Sequence, residues 1–455
     1  MPPSTRAQAR LAGWVRAFLA FAAAGAFPAA AAADTGFITV HGCQFFRDGR
    51  PWYAAGANLW YGAYLGHPSN PAGRRRLIHE LDALRGLGVN NLRVLGASEA
   101  SAVPRTLRPS FTLRPGAFDE DLLVGLDFLA QQAGRRGMTL VIFLNNYWDW
   151  SGGIPQYLAW GSGRPAAGLG QLPWRQWNQR QSEYYTDRAA QAAALRYADL
   201  LLERTNSLTG IKYRDDPTIM AWELANEPRP GEQEPGRPAI LPAFLEWVSS
   251  VSAHLHARDP HHLVTTGSEG LRGCLESLEA FSQVHAVPTI DYAVIHIWPK
   301  NWGWFHPDHF AETIGAAEQQ GRAYFLEHLA VARELSKPLV VEEFGLDRDG
   351  GPALAFGVIC RDRFYGEIFR LVEQSIAEGG PAAGSNFWLW GGKGRPPGPA
   401  LPAAEDGIGA GDMPQEPPGL NAVFDCDRST LGVLAAHFSR LAALSAKFRL
   451  GKAEK

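Results

Sequence analysis

The sequence predicts a (β/α)8 barrel of the TIM type with long loops at its C-terminal face. Three observations carry the prediction. Eight strand-like apolar runs alternate with amphipathic helical stretches; two of those runs end in a glutamate just before a chain-breaking Pro or Gly; and no glycine-rich phosphate loop follows the first run. The third observation sets aside the competing doubly wound open sheet, because Gly56-Ala57-Asn58-Leu59-Trp60 lacks the glycine spacing of a dinucleotide site.

In chain order the strand-like runs are Tyr53–Asn58, Asn90–Leu95, Leu140–Asn145, Ile219–Leu224, Leu263–Gly267, Tyr292–His296, Leu339–Glu343 and Ser385–Leu389. Between them apolar residues recur at three- and four-residue steps. This periodicity predicts helices through Leu77, Ile78, Leu81, Leu84 and Leu87, then over Leu122–Ala133, Ala189–Leu202, Leu241–Leu255, Ala323–Leu335 and Arg363–Ile376. Two long connections, Trp148–Thr186 after the third strand and Gly391–Gly419 after the eighth, belong over the barrel's C-terminal face, where long loops serve binding.

Residues 1–33 are read as a secretory signal peptide. Arg6, Arg10 and Arg16 precede the apolar run Ala17–Ala33, which closes on small residues before Asp34. The exported remainder, 34–455, is expected to be one catalytic domain, extracellular or periplasmic, with no added binding module. Cys43, Cys274, Cys360 and Cys426 lack the spacing of a zinc site, and leave both disulfides and buried free thiols open. A net charge of -3 with scattered basic residues argues against nucleic acid and anionic lipid. With 15 Trp, 12 Tyr and 23 Phe, the chain is better suited to a neutral partner whose rings stack on aromatic planes. His261-His262 has no partners at helical spacing and reads as a surface loop, not a metal site.

The chemistry comes from two segments, Trp222-Glu223-Leu224-Ala225-Asn226-Glu227-Pro228 and Pro338-Leu339-Val340-Val341-Glu342-Glu343-Phe344-Gly345. Paired acids at the carboxyl edge of a sheet point to cleavage of a glycosidic bond, a reaction needing one carboxyl to protonate the departing oxygen and another to attack, with no cofactor. In a regular strand Glu342 and Glu343 face opposite sides, so only one is expected to face the site. Glu223 shares strand parity with Glu227 but sits deeper, where an acid bonded to the barrel framework is expected.

Those segments, with Gly56-Ala57-Asn58-Leu59-Trp60-Tyr61-Gly62, Asn91-Leu92-Arg93-Val94, Asn145-Asn146-Tyr147-Trp148, His296-Ile297-Trp298-Pro299 and Asn386-Phe387-Trp388-Leu389-Trp390-Gly391, resemble glycoside hydrolase family 5. The branch they are most similar to is that of the β-1,4-mannanases. The resemblance runs from Phe37 to about Leu434. It implies a retaining double displacement on β-mannan or manno-oligosaccharides, with Glu227 as acid/base and Glu343 as nucleophile; a monomer needing no metal or cofactor is the expectation.

By the same resemblance Asn226 bonds the sugar 2-hydroxyl, Arg93 keeps the nucleophile charged, His296 donates within the network and Trp388 floors the sugar. Trp60, Trp148 and Trp302 are further candidate platforms. Two departures stand out: Trp298 occupies a place where the wider family often has Tyr, and Asn145 or Asn146 stands where it often has His. Asn145 is taken as the substrate-facing one, with Asn146 kept open. The rivals are a β-1,4-glucanase, an exo-acting β-mannosidase with one end of its cleft closed by the insert after strand three, and a non-catalytic sugar-binding barrel. No Gly-x-Ser-x-Gly elbow supports a serine hydrolase, since Gly267-Ser268-Glu269-Gly270 lacks the spacing.

Overall fold

A computed structural model describes residues 36–231, 240–396 and 408–447. The proposed signal peptide, and the middle of the Pro/Gly-rich stretch after the last strand, lie outside the described residues. Eight strands form one parallel sheet: β1 (Ala54–Asn58), β2 (Asn91–Leu95), β3 (Thr139–Phe143), β4 (Ile219–Glu223), β5 (Leu263–Thr265), β6 (Ala293–Ile297), β7 (Leu339–Phe344) and β8 (Ala382–Phe387). They pair in the order β5-β4-β3-β2-β1-β8-β7-β6. The seam between β5 and β6 is bridged where Asp291 N–H donates to Val264 O at 2.8 Å and His296 N–H to Glu269 O at 3.3 Å.

A helix follows each strand: α1 (Pro71–Leu87), α2 (Glu120–Gly134), α3 (Arg188–Glu203), α4 (Leu241–Arg258), α5 (Leu278–His285), α6 (Phe310–Glu334), α7 (Ile359–Ala377) and α8 (Arg428–Lys447). Local sequence sets several ends. Asn70, Asp119, Asp187 and Ser277 each accept a backbone N–H of the first turn, and α1 stops at Gly88, whose φ of 98° suits a residue without Cβ.

The sequence pattern missed α5 and α8 and caught only the last part of α6, which runs for 25 residues. The expected long connection after β3 carries two helices of its own, Gly153–Ser162 and Trp174–Ser182. His262 is buried, not in a surface loop; its ring faces Asp259 Oδ2 at 2.6 Å and Asp216 O at 3.0 Å. All four cysteines are free thiols.

Two apolar layers hold the barrel. The larger lies between sheet and helices. The smaller fills the lower interior with Val141, Met220, Val294 and Val340, and a three-stranded antiparallel sheet (38–41, 44–47, 50–52) closes it from below with Ile38, Phe45 and Trp52. Above these, polar side chains meet across the axis, as where Asn386 Nδ2 donates to Asn91 Oδ1 at 2.8 Å. Gly56 leaves room for this contact, since a Cβ there would lie 2.3 Å from the Asn386 side chain. Among the described residues no helix is long and apolar enough to cross a membrane.

Candidate active site

Arg93, carried by β2, organises the top of the barrel. It is fully buried, and its guanidinium donates to both oxygens of Glu223 at 2.7 and 2.6 Å, to Asn226 Oδ1 at 2.7 Å and to Asn58 Oδ1 at 3.2 Å. The remaining N–H is in direct contact with Glu343 Oε1. Glu223 is therefore the framework acid, held at two points beneath the site.

Beyond the end of β4, Glu227 adopts φ 52°, a left-handed backbone that a residue with a Cβ holds only when its surroundings impose it. Here Glu227 N–H donates to Gly267 O at 2.9 Å, and the side chain is gripped twice: Trp148 Nε1–H donates to Oε2 at 2.5 Å, and His296 Nδ1 faces Oε1 at 2.7 Å. The same Nδ1 lies 3.3 Å from Glu343 Oε2. One atom each of Glu227, His296 and Glu343 lie within 4.8 Å of one another. Their spacing would also let this trio hold a metal ion.

Electrostatics separates the two acids. Burial pushes both carboxyls above the ordinary range, and the charge of Glu227 raises Glu343 further. Direct contact with Arg93 opposes that rise in Glu343 and favours its ionised form. Burial, with Arg93 nearby, lowers the His296 pKa far below its usual value and keeps the ring neutral. With the Glu343 carboxylate 3.3 Å from Nδ1, the ring proton is assigned to that nitrogen.

A cavity of about 600 Å³ opens above the pair. Glu227, Glu343, Asn226 and Trp388 reach it, as do Trp148, Trp298 and Trp302. The Trp298 indole bonds toward Glu227. Trp60 is not a platform: it is buried under the loop after β8, with Nε1–H donating to Gly411 O at 2.8 Å. Asn145 turns away toward Tyr184 Oη at 3.3 Å, whereas Asn146 Oδ1 accepts from Asn226 Nδ2 at 3.1 Å. Strand β3 ends at Phe143, so neither Asn sits on a strand whose alternation would have told them apart.

The expectation for Glu342 is overturned. Main-chain pairing passes from Ile295↔Val341 to His296↔Glu343, which leaves Glu342 as an extra residue in β7. That bulge breaks the alternation, and both carboxyls point inward, Glu342 Oε2 lying 3.8 Å from Arg93 Nε. Sequence reasoning also missed the far wall. Arg229 donates to both oxygens of Glu269 at 2.6 and 2.7 Å while lying over Trp148 and Trp174, and Arg272 lies over Trp302. Arg229 directly follows the Asn-Glu-Pro motif, and that adjacency was the available signal.

Residues 35–446 match the model of the glycoside hydrolase family 5 β-mannosidase-like proteins. The chain belongs to glycoside hydrolase family 5. Within this family it is 30% identical over 447 residues to a putative mannan endo-1,4-β-mannosidase 9 of Oryza sativa, covering 94% of this chain and 95% of the relative. A family 5 mannosidase from Rhizomucor miehei superposes with a TM-score of 0.83 at 29% identity, over 91% of this chain and 100% of that one. A variant of that enzyme solved with mannosyl-fructose superposes with a TM-score of 0.82 at 29% identity, over 91% and 99% of the two chains. This family 5 chain is thus a glycoside hydrolase on a (β/α)8 barrel.

Proposed function

We propose that this family 5 enzyme is an exported hydrolase that cleaves β-1,4-mannosidic bonds of mannans and manno-oligosaccharides by double displacement, with retention at the anomeric carbon. The observation carrying the reading is the meeting of Glu227 and Glu343 on one imidazole, within the span expected of the carboxyls in a retaining enzyme. Glu343 attacks the anomeric carbon as Glu227 gives its proton to the leaving oxygen. Glu227, now a carboxylate, then takes a proton from the water that releases the sugar. Negative charge thereby passes from Glu343 to Glu227, and the His296 Nδ1–H, in reach of both, stabilises either state. The names of the relatives supply the mannose preference, and Arg6, Arg10 and Arg16 before an apolar run supply export.

The test is the configuration of the first product. ¹H NMR during hydrolysis of mannohexaose should show β-mannose at the new reducing end before mutarotation; α-product, or turnover of carboxymethylcellulose in place of mannan, would overturn the reading.

Internal cleavage and action at chain ends are separated by the product lengths from the same substrate. The cavity is lined by Trp148, Trp174 and Arg229 and, from the loop after β8, by Met413, Gln415 and Glu416. That loop is fastened down. Asp412 accepts from the N–H groups of Gly419, Asn421 and Ala422 at 2.7, 2.9 and 3.3 Å, Trp60 holds Gly411, and Arg105 donates to Pro414 O. An exo-acting enzyme releases mannose from the first turnover on mannohexaose, whereas an endo-acting one releases mixed lengths.

A further inference from the structure

Glu342 takes no part in the double displacement, yet the chain spends a bulge to turn it inward. The residue is 1% exposed. Its Oε2 has no hydrogen-bond partner and lies 4.0 Å from His296 Nε2, which has none either. The groups that face it are Arg93 from β2, Glu223 from β4, and His296 with Tyr292 from the β6 segment, whose hydroxyl is also unpartnered. Arg93 already holds Glu223 at two points and Glu343 at a third. A buried acid with only a remote share of that cation takes up a proton.

We propose that Glu342 is a positioning residue acting as a neutral carboxylic acid: from behind the ring it satisfies the lone pair of His296 Nε2, by a small movement or through one water, and so keeps the Nδ1–H turned toward Glu227 and Glu343. No proton leaves the imidazole during the cycle. An ionised Glu342 would draw the ring proton to Nε2 and present a lone pair to the two carboxyls whose charge the ring must stabilise. A hydrocarbon side chain there would leave either tautomer free to form.

The inference rests on Glu227 and Glu343 being the reacting pair, and the experiment separates the two. In the full chain, with an activated aryl β-mannoside as probe, Glu342→Gln retains a donor and should lower kcat by no more than about 5-fold. Glu342→Leu should lower kcat by about 100-fold with KM within about 2-fold, and move the alkaline limb of kcat/KM upward as Glu227 loses its donor. In ¹⁵N-histidine-labelled protein, His296 should carry its proton on Nδ1 in the wild type and in Glu342→Gln, a reading that survives even if the leucine variant fails to fold. The proposal is overturned by a wild-type His296 protonated on Nε2, by a glutamine variant as slow as the leucine one, or by a leucine variant of full activity. Rescue of Glu343→Gly by azide reports on the reacting pair alone: its failure removes that pair, whatever the tautomer.

Discussion

Trp148 donates its indole N–H to Glu227 at 2.5 Å, so one side chain both walls the cleft and acts on the protonation of the proposed catalytic acid. A hydrogen bond to the charged form favours that form and lowers the pKa. Trp148→Phe removes the donor and keeps a ring. Its alkaline limb of kcat/KM should move to higher pH, because Glu227 then holds its proton more tightly, and KM should rise modestly. A pH-rate profile from pH 4 to 9 checks the sign; a limb that moves down refutes it.

Glu227→Ala and Glu343→Ala should each lower kcat by about 10³-fold or more while binding of mannohexaose, measured by calorimetry, survives. With Glu343 as the proposed ionised nucleophile and Glu227 as the proposed protonated acid, the wild-type profile should be bell-shaped, losing activity in acid as Glu343 takes up a proton and in base as Glu227 gives one up. A single-limbed profile would contradict the assignment.

Glu99, in the loop after β2, is a stability switch by linkage. Burial raises it from the ordinary 4.5 to about 8, against the Gly153 N–H that bonds Oε2 at 2.6 Å. Between those two values the folded state holds a proton that the unfolded chain has released, so its stabilising contribution is full below 4.5 and lost as pH rises toward 8. Glu99→Gln cannot ionise, and its Tm should fall less between pH 5 and 8 than that of the wild type, as read by differential scanning calorimetry.

Asp412→Ala should strip three backbone N–H groups of their acceptor and loosen the wall at 413–416. The expected cost is about 1–3 kcal/mol in stability. Product lengths from mannohexaose should change with the wall; unchanged products with a lowered Tm would show that the loop does not shape the cleft.

Gly56→Ala is expected to abolish soluble expression, because the added methyl would overlap Asn386, itself tied to Asn91 inside the barrel. A folded, active variant would show that this layer can shift.

Periodicity and chain punctuation were enough to read eight strands and six of the eight helices, because each signal is local: a strand's apolar run, a helix's repeat; they also drew attention to two acid-bearing segments, and the motif resemblance chose Glu343 over Glu342. Arg93, Asn226, His296 and Trp388 were legible through motif resemblance and do meet at one cavity or in the network beneath it. What the one-dimensional pattern could not carry was set by long-range packing. A bulge in β7 reversed the expected face of Glu342, a loop more than 350 residues away in the chain buried Trp60, and an early end to β3 left Asn145 turned from the sugar while Asn146 held Asn226. Strand alternation, once a residue is inserted, depends on which partner atoms the neighbouring strand offers, and exposure depends on what the rest of the chain lays on top; both are settled only when the barrel closes.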